Sequence, residues 1–229
     1  MIHKDFRCEF YFIRHGESES NATPGMAAGA NYDSALTARG VNQARLLGER
    51  LKREGVKFDR VYSSSLDRAK KTARYMLDAM GETERTVPAV DELVEQKAMG
   101  WRGVPVEEVF TPENVAYIMS KGPDFIPPQG ESLRMVRRRV SGWVESEIIY
   151  NEDLVSAHRE LAVAVVGHGT ASRCLFQYIM GFNDTLLWRV AIDNTSISRF
   201  VFDKHGWSVV RLNDASHLAE EAVSFDARP

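Results

Sequence analysis

Three observations on this 229-residue chain predict a layered α/β fold. Strand-like apolar runs alternate with amphipathic helical stretches from Cys8 to Gly81. Residues 161–166 form a continuous apolar run of strand length, as a strand covered on both faces requires. Two further strand-like runs near the end, 197–202 and 207–212, flank Asp203-Lys204-His205-Gly206 and read as a hairpin.

The first strand is predicted over residues 8–13. Leu36-Thr37 then introduces a helix to about Glu54, with Val41, Ala44, Leu47 and Leu51 at helical spacing. A short strand follows at 60–63. The next helix, 66–80, carries Ala69, Ala73, Met76 and Met80 on one face and stops at Gly81. From 83 to 130 the pattern loosens, and Pro88, Pro105, Pro112, Pro123, Pro127 and Pro128 punctuate it. This stretch has too few apolar residues for a core of its own. It reads as a lid-like excursion with short helices inside a single domain spanning residues 1–229. A long helix is predicted from Glu131 to about Tyr150, with Leu133, Val136, Val140, Val144 and Ile148 facing inward. Arg134, Arg137, Arg138 and Arg139 lie on its polar side and read as a solvated charged face. A last helix, 170–180, closes at Gly181, and the polar tail beyond Asn213 is expected on the surface.

Composition narrows the function classes. With 44% hydrophobic and 27% charged residues, a disordered chain, a collagen-like chain and a disulfide scaffold are excluded. The 29 Lys+Arg against 32 Asp+Glu leave a net charge of −3, so bulk charge draws the chain to neither nucleic acid nor an anionic membrane. Cys8 and Cys174 sit in apolar surroundings and read as core residues. The N-terminus has no apolar run of signal-peptide length, and no run reaches the roughly 18 residues of a membrane span. A soluble, cytoplasmic protein is expected.

Two of the predicted strands end alike. Phe10-Tyr11-Phe12-Ile13 runs into Arg14-His15-Gly16, and Val163-Ala164-Val165-Val166 runs into Gly167-His168-Gly169. Ligands of open α/β sheets bind beyond the carboxyl ends of the strands, so both histidines are expected at one crevice. Flanking glycines let the backbone approach a ligand. Thr170 opens the following helix, whose N-terminus favours an anion. Arg14 adjoins the first histidine, and Arg68 follows Ser63-Ser64-Ser65 at another strand-to-helix junction. Guanidinium groups at such places suit a phosphate. The rival is a metal site made from His15, His168 and a carboxylate. The lack of an HExxH or CxxC pair, and the cations beside these residues, count against it.

Arg14-His15-Gly16-Glu17-Ser18 resembles the signature of the histidine phosphatase superfamily, which also contains the cofactor-dependent phosphoglycerate mutases. Further matches follow in order: Asn21; Leu36-Thr37-x-x-Gly40-x-x-Gln43-Ala44; Ser63-Ser64-x-x-x-Arg68-x-x-x-Thr72-Ala73; Gly130-Glu131-Ser132; Gly167-His168-Gly169; and Asn194-x-Ser196-Ile197. The resemblance covers about residues 10–212.

It implies a three-layer α/β/α sandwich with a mixed, mostly parallel sheet, and the Pro-rich excursion lying over the site. It implies that His15 attacks phosphorus and becomes a phosphohistidine. Arg14, Arg68 and His168, the last expected to be charged, hold the phosphoryl oxygens, with Asn21 and Gly169 helping. The proton donor in this family is a Glu in a segment similar to L-x-E-x-x-x-G-x-W-E-G. Here that segment reads Leu93-Val94-Glu95-Gln96-Lys97-Ala98-Met99-Gly100-Trp101-Arg102-Gly103. Glu95, Trp101 and Gly103 match, with Glu92 as the neighbouring acid. Met99 stands where a Gly is usual, and Arg102 replaces the usual acid. That exchange assigns Arg102 to a second negative group on the substrate.

The leading expectation is a phosphomonoester hydrolase acting on a small phosphorylated metabolite without metal or cofactor. The alternatives are a phosphoglycerate mutase, whose R-H-Y-G string is absent here, and a catalytically silent phospholigand-binding domain. Neither nucleic acid nor membrane is an expected partner, and a homodimer stays open.

Overall fold

The computed structural model describes residues 3, 5–23, 25, 27, 34–157 and 160–219. Its elements are β1 (Arg7–Arg14), α1 (Glu19–Ala22), α2 (Ala38–Arg53), β2 (Arg60–Ser64), α3 (Asp67–Met80), β3 (Ala89–Val90), α4 (Val106–Val109), α5 (Pro112–Lys121), α6 (Leu133–Val144), α7 (Glu152–Ala157), β4 (Glu160–Gly167), α8 (Gly169–Met180), β5 (Ile197–Asp203) and β6 (Gly206–Asp214). The tail residues 220–229, expected on the surface, lie outside the described residues.

The strands form one sheet in the order β3-β2-β4-β1-β5-β6. β1, β4, β2 and β3 pair in parallel, while β5 and β6 add an antiparallel hairpin at the other side. The sheet is mixed and mostly parallel. Side-chain alternation along β1 explains the layers. Cys8, Phe10 and Phe12 enter a core shared with Val136, Val140 and Val144 of α6 and Cys174, Leu175 and Phe176 of α8. Tyr11 and Ile13 point the other way, toward Leu47 and Leu51 of α2 and Ala73, Met76 and Leu77 of α3. Both faces of β1 are therefore covered, and each buried large side chain contributes roughly 1.5–3 kcal/mol. Both cysteines are buried and unbonded to each other, and burial pushes the Cys174 thiol up to about 12.

α2 and α3 pack closely at Gly48. A Cβ there would collide with the Met76 carbonyl oxygen and sit 2.8 Å from Ala79 Cβ. α3 and α8 end where expected, at Gly81 and Gly181, both in the left-handed region with φ of 90° and 67°.

Two elements differ from expectation. The long helix predicted over 131–150 begins later, because the Ser132 side chain accepts from Met135 N and caps α6 at Leu133. After Val144 it loosens into a π-helical turn, Glu145–Ile149. The excursion after α3 is not wholly outside the sheet, since Ala89 and Val90 pair with Ser63 and Ser64. Short helices occupy the rest of it, as the pattern suggested. Among the described residues no helix is long and apolar enough to cross a membrane.

Candidate active site

β1 and β4 run side by side in parallel, with Arg14 opposite Gly167, so the residues that follow them emerge together. The His15 and His168 rings lie 5.1 Å apart, centroid to centroid. Arg68, in the first turn of α3, completes the group, and its Nε donates to His15 Nε2 at 3.2 Å. Arg14, His15, Arg68 and His168 are all buried.

The His15 ring is fixed by its other nitrogen. Nδ1 lies 2.6 Å from the carbonyl oxygen of Gly16, to which it donates. Nε2 therefore carries the lone pair. Burial first, then His168, Arg68 and Arg14, holds the imidazole well below the ordinary histidine range, against a weaker opposing effect of the Gly16 carbonyl. His15 is a neutral base with its free electron pair turned toward Arg68.

His168 corrects one expectation. The resemblance implies a charged ring, whereas burial, Arg68, Arg14 and Arg139 hold its pKa well below the ordinary value and favour the neutral form. Its Nε2 lies 2.8 Å from Ser64 Oγ. Nδ1 is buried and, among the described residues, has no hydrogen-bond partner.

Around these groups the backbone is held tightly. Gly16 N donates to Thr72 Oγ1 and Glu17 N to Gln43 Oε1, both at 2.9 Å. A Cβ on Gly16 would run into the Gly40 carbonyl, and one on Gly40 into the Glu17 backbone, so neither position has room for a side chain. On the opposite side, Arg14 Nη1 donates to Ile192 O at 2.6 Å. Asn194 Nδ2 donates to His15 O at 2.9 Å and to Asn21 Oδ1 at 3.3 Å. Thr195 N donates to Arg14 O at 3.1 Å. Thr195 does so with φ of 57°, a left-handed conformation that a β-branched residue adopts only at a cost in strain.

Glu95 is a docked carboxylate and not a solvated one. Its Oε2 accepts from Thr170 N at 3.0 Å, and its Oε1 from Ala171 N at 3.1 Å and Gln96 N at 2.9 Å. Thr170 and Ala171 open α8 directly after His168, so the carboxylate sits at the positive end of that helix. At Gly169 a Cβ would stand 3.2 Å from Arg173 Nη1 and 3.7 Å from Arg14 Nε, so its bare backbone leaves room beside two guanidinium groups.

Asn21 reaches the cluster through Asn194. Arg102 is exposed, on a strap that leaves Glu95 and crosses to the segment after α1. Val104 O accepts there from Ala27 N at 2.8 Å, and Val106 N donates to Gly25 O at 2.7 Å. Trp101 on this strap stands 5.6 Å from the Phe110 ring and 5.9 Å from Phe125.

Sequence reasoning quoted Thr72, Gln43, Glu131 and Asn194 without giving them work. Arg173, the one charged residue in 170–180, carries a signal of its own, a cation in an otherwise uncharged helix. Arg139 is not solvated, as its place on the polar side of the helix suggests, but engaged. It donates to Glu131 and to the carbonyls of Glu92 and Glu95, because the strand-to-strap segment passes over its face of α6. Among the described residues no group of three or more His, Cys, Asp or Glu side chains is placed to hold a metal ion.

An imidazole pair beside two arginines and a helix N-terminus, at the C-terminal edge of a mostly parallel sheet, is an arrangement suited to an anion such as a phosphoryl group. Residues 10–215 match the histidine phosphatase superfamily (branch 1), and the chain belongs to that family. It is 30% identical to the probable phosphoglycerate mutase GpmB of Yersinia pestis (strain Pestoides F), over 94% of this chain and 97% of that protein. The crystal structure of a putative alpha-ribazole-5'-P phosphatase from Escherichia coli superposes with a TM-score of 0.73 at 26% identity, covering 91% of this chain and 97% of that one. A phosphoglycerate mutase from Bacillus anthracis shares the fold, with a TM-score of 0.78 at 22% identity over 96% and 98% of the two chains.

Proposed function

We propose that this chain is a phosphomonoester hydrolase acting through a phosphohistidine on His15. The observation that carries the reading is the His15 ring, donating from Nδ1 to Gly16 O and presenting a neutral Nε2 beside Arg68. Such a nitrogen is a competent nucleophile at neutral pH. In the first step the Glu95 carboxylate takes the proton of the bound monoanionic ester, Nε2 attacks phosphorus, the bond to the ester oxygen breaks, and Glu95 passes that proton to the departing oxygen. In the second, Glu95 takes a proton from water, the hydroxide oxygen bonds to phosphorus, the P–N bond breaks, and inorganic phosphate leaves with the proton from Glu95, restoring the carboxylate and His15.

Arg14 and Arg68 neutralise charge on the transferring group, doing what a metal ion does in other phosphatases, so turnover needs no divalent cation. With the Ser64 hydroxyl donating to His168 Nε2, the buried Nδ1–H of His168 is left for a phosphoryl oxygen. Asn21 Oδ1 is occupied by Asn194 and by Ser18 N, which directs the Asn21 amide nitrogen outward to the same group. Gly169 lets the phosphate approach the start of α8. Arg102, on the strap, pairs with a second negative group of a small phosphorylated metabolite.

Rapid quench with a labelled aryl phosphate tests the chemistry. An acid-labile, alkali-stable adduct is expected on the wild type and not on His15→Ala; an acid-stable adduct, or label on another residue, refutes the assignment. The name carried by the Yersinia relative favours a second reading, phosphoryl return to a sugar acid. Interconversion of phosphoglycerates faster than phosphate release would establish that reading instead.

A further inference from the structure

The segment that carries Glu95 is gripped from behind by an ion pair for which the steps above have no direct use. Arg139 forks onto Glu131, with Nη2 2.6 Å from Oε1 and Nε 3.0 Å from Oε2. Both side chains are largely enclosed, at 17% and 8% exposure. The same guanidinium donates to Glu92 O at 2.5 Å and to Glu95 O at 3.2 Å. Glu131 answers on the other flank, where its Oε1 accepts from Lys97 N at 3.1 Å and its own N donates to Lys97 O at 3.0 Å. Gln96 Nε2 donates to Glu131 O at 2.9 Å. Gly130 makes this approach feasible, because a Cβ there would collide with Lys97 O.

The backbone on both sides of Glu95 is thus tied to α6 and the turn before it, while its carboxylate is tied to the start of α8. A carboxyl that must serve the departing ester oxygen in one step and the attacking water oxygen in the next needs its reach set to within a fraction of an ångström. A fork of five fixed N–H donors imposes that, and a lysine ammonium cannot. We propose that the Glu131–Arg139 pair is a positioning device for the proton donor, fixing the distance from Glu95 to the leaving oxygen. The proposal rests on the reading of Glu95 as that donor.

Leaving-group dependence separates positioning from mere structural support. The ester oxygen of p-nitrophenyl phosphate departs without a proton, whereas that of glycerol 2-phosphate needs one. Arg139→Lys keeps the charge and loses the fork. It should lower kcat/KM on glycerol 2-phosphate by about tenfold and leave p-nitrophenyl phosphate within about twofold. Glu95→Gln should show the same selectivity more strongly, and the double variant should be no slower than Glu95→Gln alone, because both act on one proton transfer. The pair Glu131→Gln with Arg139→Gln, which removes both charges together and leaves neither buried alone, should repeat the Arg139→Lys pattern. Equal losses on the two substrates in the Arg139 variants, or losses that add to those of Glu95→Gln, overturn the positioning role while leaving Glu95 as the donor. If Glu95→Gln itself slows both substrates equally, the donor assignment falls, and the proposal with it.

Discussion

Burying two neutral histidines in one site ties the stability of this fold to pH in a way that one substitution can isolate. His15 and His168 are held well below their ordinary value of 6.5 in the folded chain, chiefly by burial. In the unfolded chain both titrate normally. The sign follows directly: as pH falls through 6.5 the unfolded state binds protons that the folded state refuses, so stability falls with pH. Each such proton gives a slope of about 1.4 kcal/mol per pH unit. Integrated from pH 7 to 5.5, with the folded ring still neutral, each histidine removes on the order of 1 kcal/mol, and the two together about twice that. His15→Ala deletes one contribution. His168 keeps its own, since burial, Arg68, Arg14 and Arg139 remain. Urea unfolding of wild type and variant at the two pH values reads the difference, and carboxylate titrations common to both cancel. The variant should lose on the order of 1 kcal/mol less than wild type over this range. Parallel losses would show that His15 takes up its proton as readily when folded, and would remove the ground for a neutral nucleophile at acid pH.

Three further outcomes are expected. Gly48→Ala gains about 1 kcal/mol in helix propensity, yet the collision with Met76 O should make it destabilising by about 1–3 kcal/mol in thermal or urea unfolding; a gain would mean that α2 and α3 can separate freely. Arg102→Glu should raise KM several-fold for substrates with a second anionic group, on the scale of about 1 kcal/mol, and leave simple aryl phosphates unchanged. Equal effects on both classes would assign the residue to the strap's structure. Exhaustive chelation with EDTA should leave turnover intact, and loss restored by zinc or manganese would move the chemistry to a metal.

What the sequence made legible is what local patterns encode. The continuous run Leu161-Ala162-Val163-Ala164-Val165-Val166 announces a strand covered on both faces, and its two faces do enter two cores, Leu161, Val163 and Val165 on one side and Ala164 and Val166 on the other. Paired strand ends with His15 and His168 announce one crevice, and the rings meet there. Contacts between distant segments were not legible. Arg139 lies on the polar side of an amphipathic helix, and periodicity separates the core side from the other without showing that residues 92–97 cover that other side. The charge of His168 depends on Arg68 and Arg139, which arrive from different helices, and on burial that no single segment displays. The start of α6 at Leu133, by contrast, is a local matter: Ser132 is an N-cap residue type, and its side chain accepts from Met135 N.

The seat of the nucleophile has a consequence for how the protein is made. His15 is synthesised early, but the groups that hold it come late: Ile192 O lies 178 residues from Arg14, and the Asn194 side chain 179 from His15. β4, the parallel neighbour of β1, also lies near the far end. At typical elongation rates of roughly 5–20 residues per second, the Phe-Tyr-Phe-Ile strand waits about 8–30 s on the ribosome before β4 is made. During that time a central strand, apolar on both faces, has no sheet to join and is an aggregation hazard. Nascent chains halted before residue 160 should therefore hold trigger-type chaperones or aggregate, and release should coincide with emergence of β4 and not with any earlier helix.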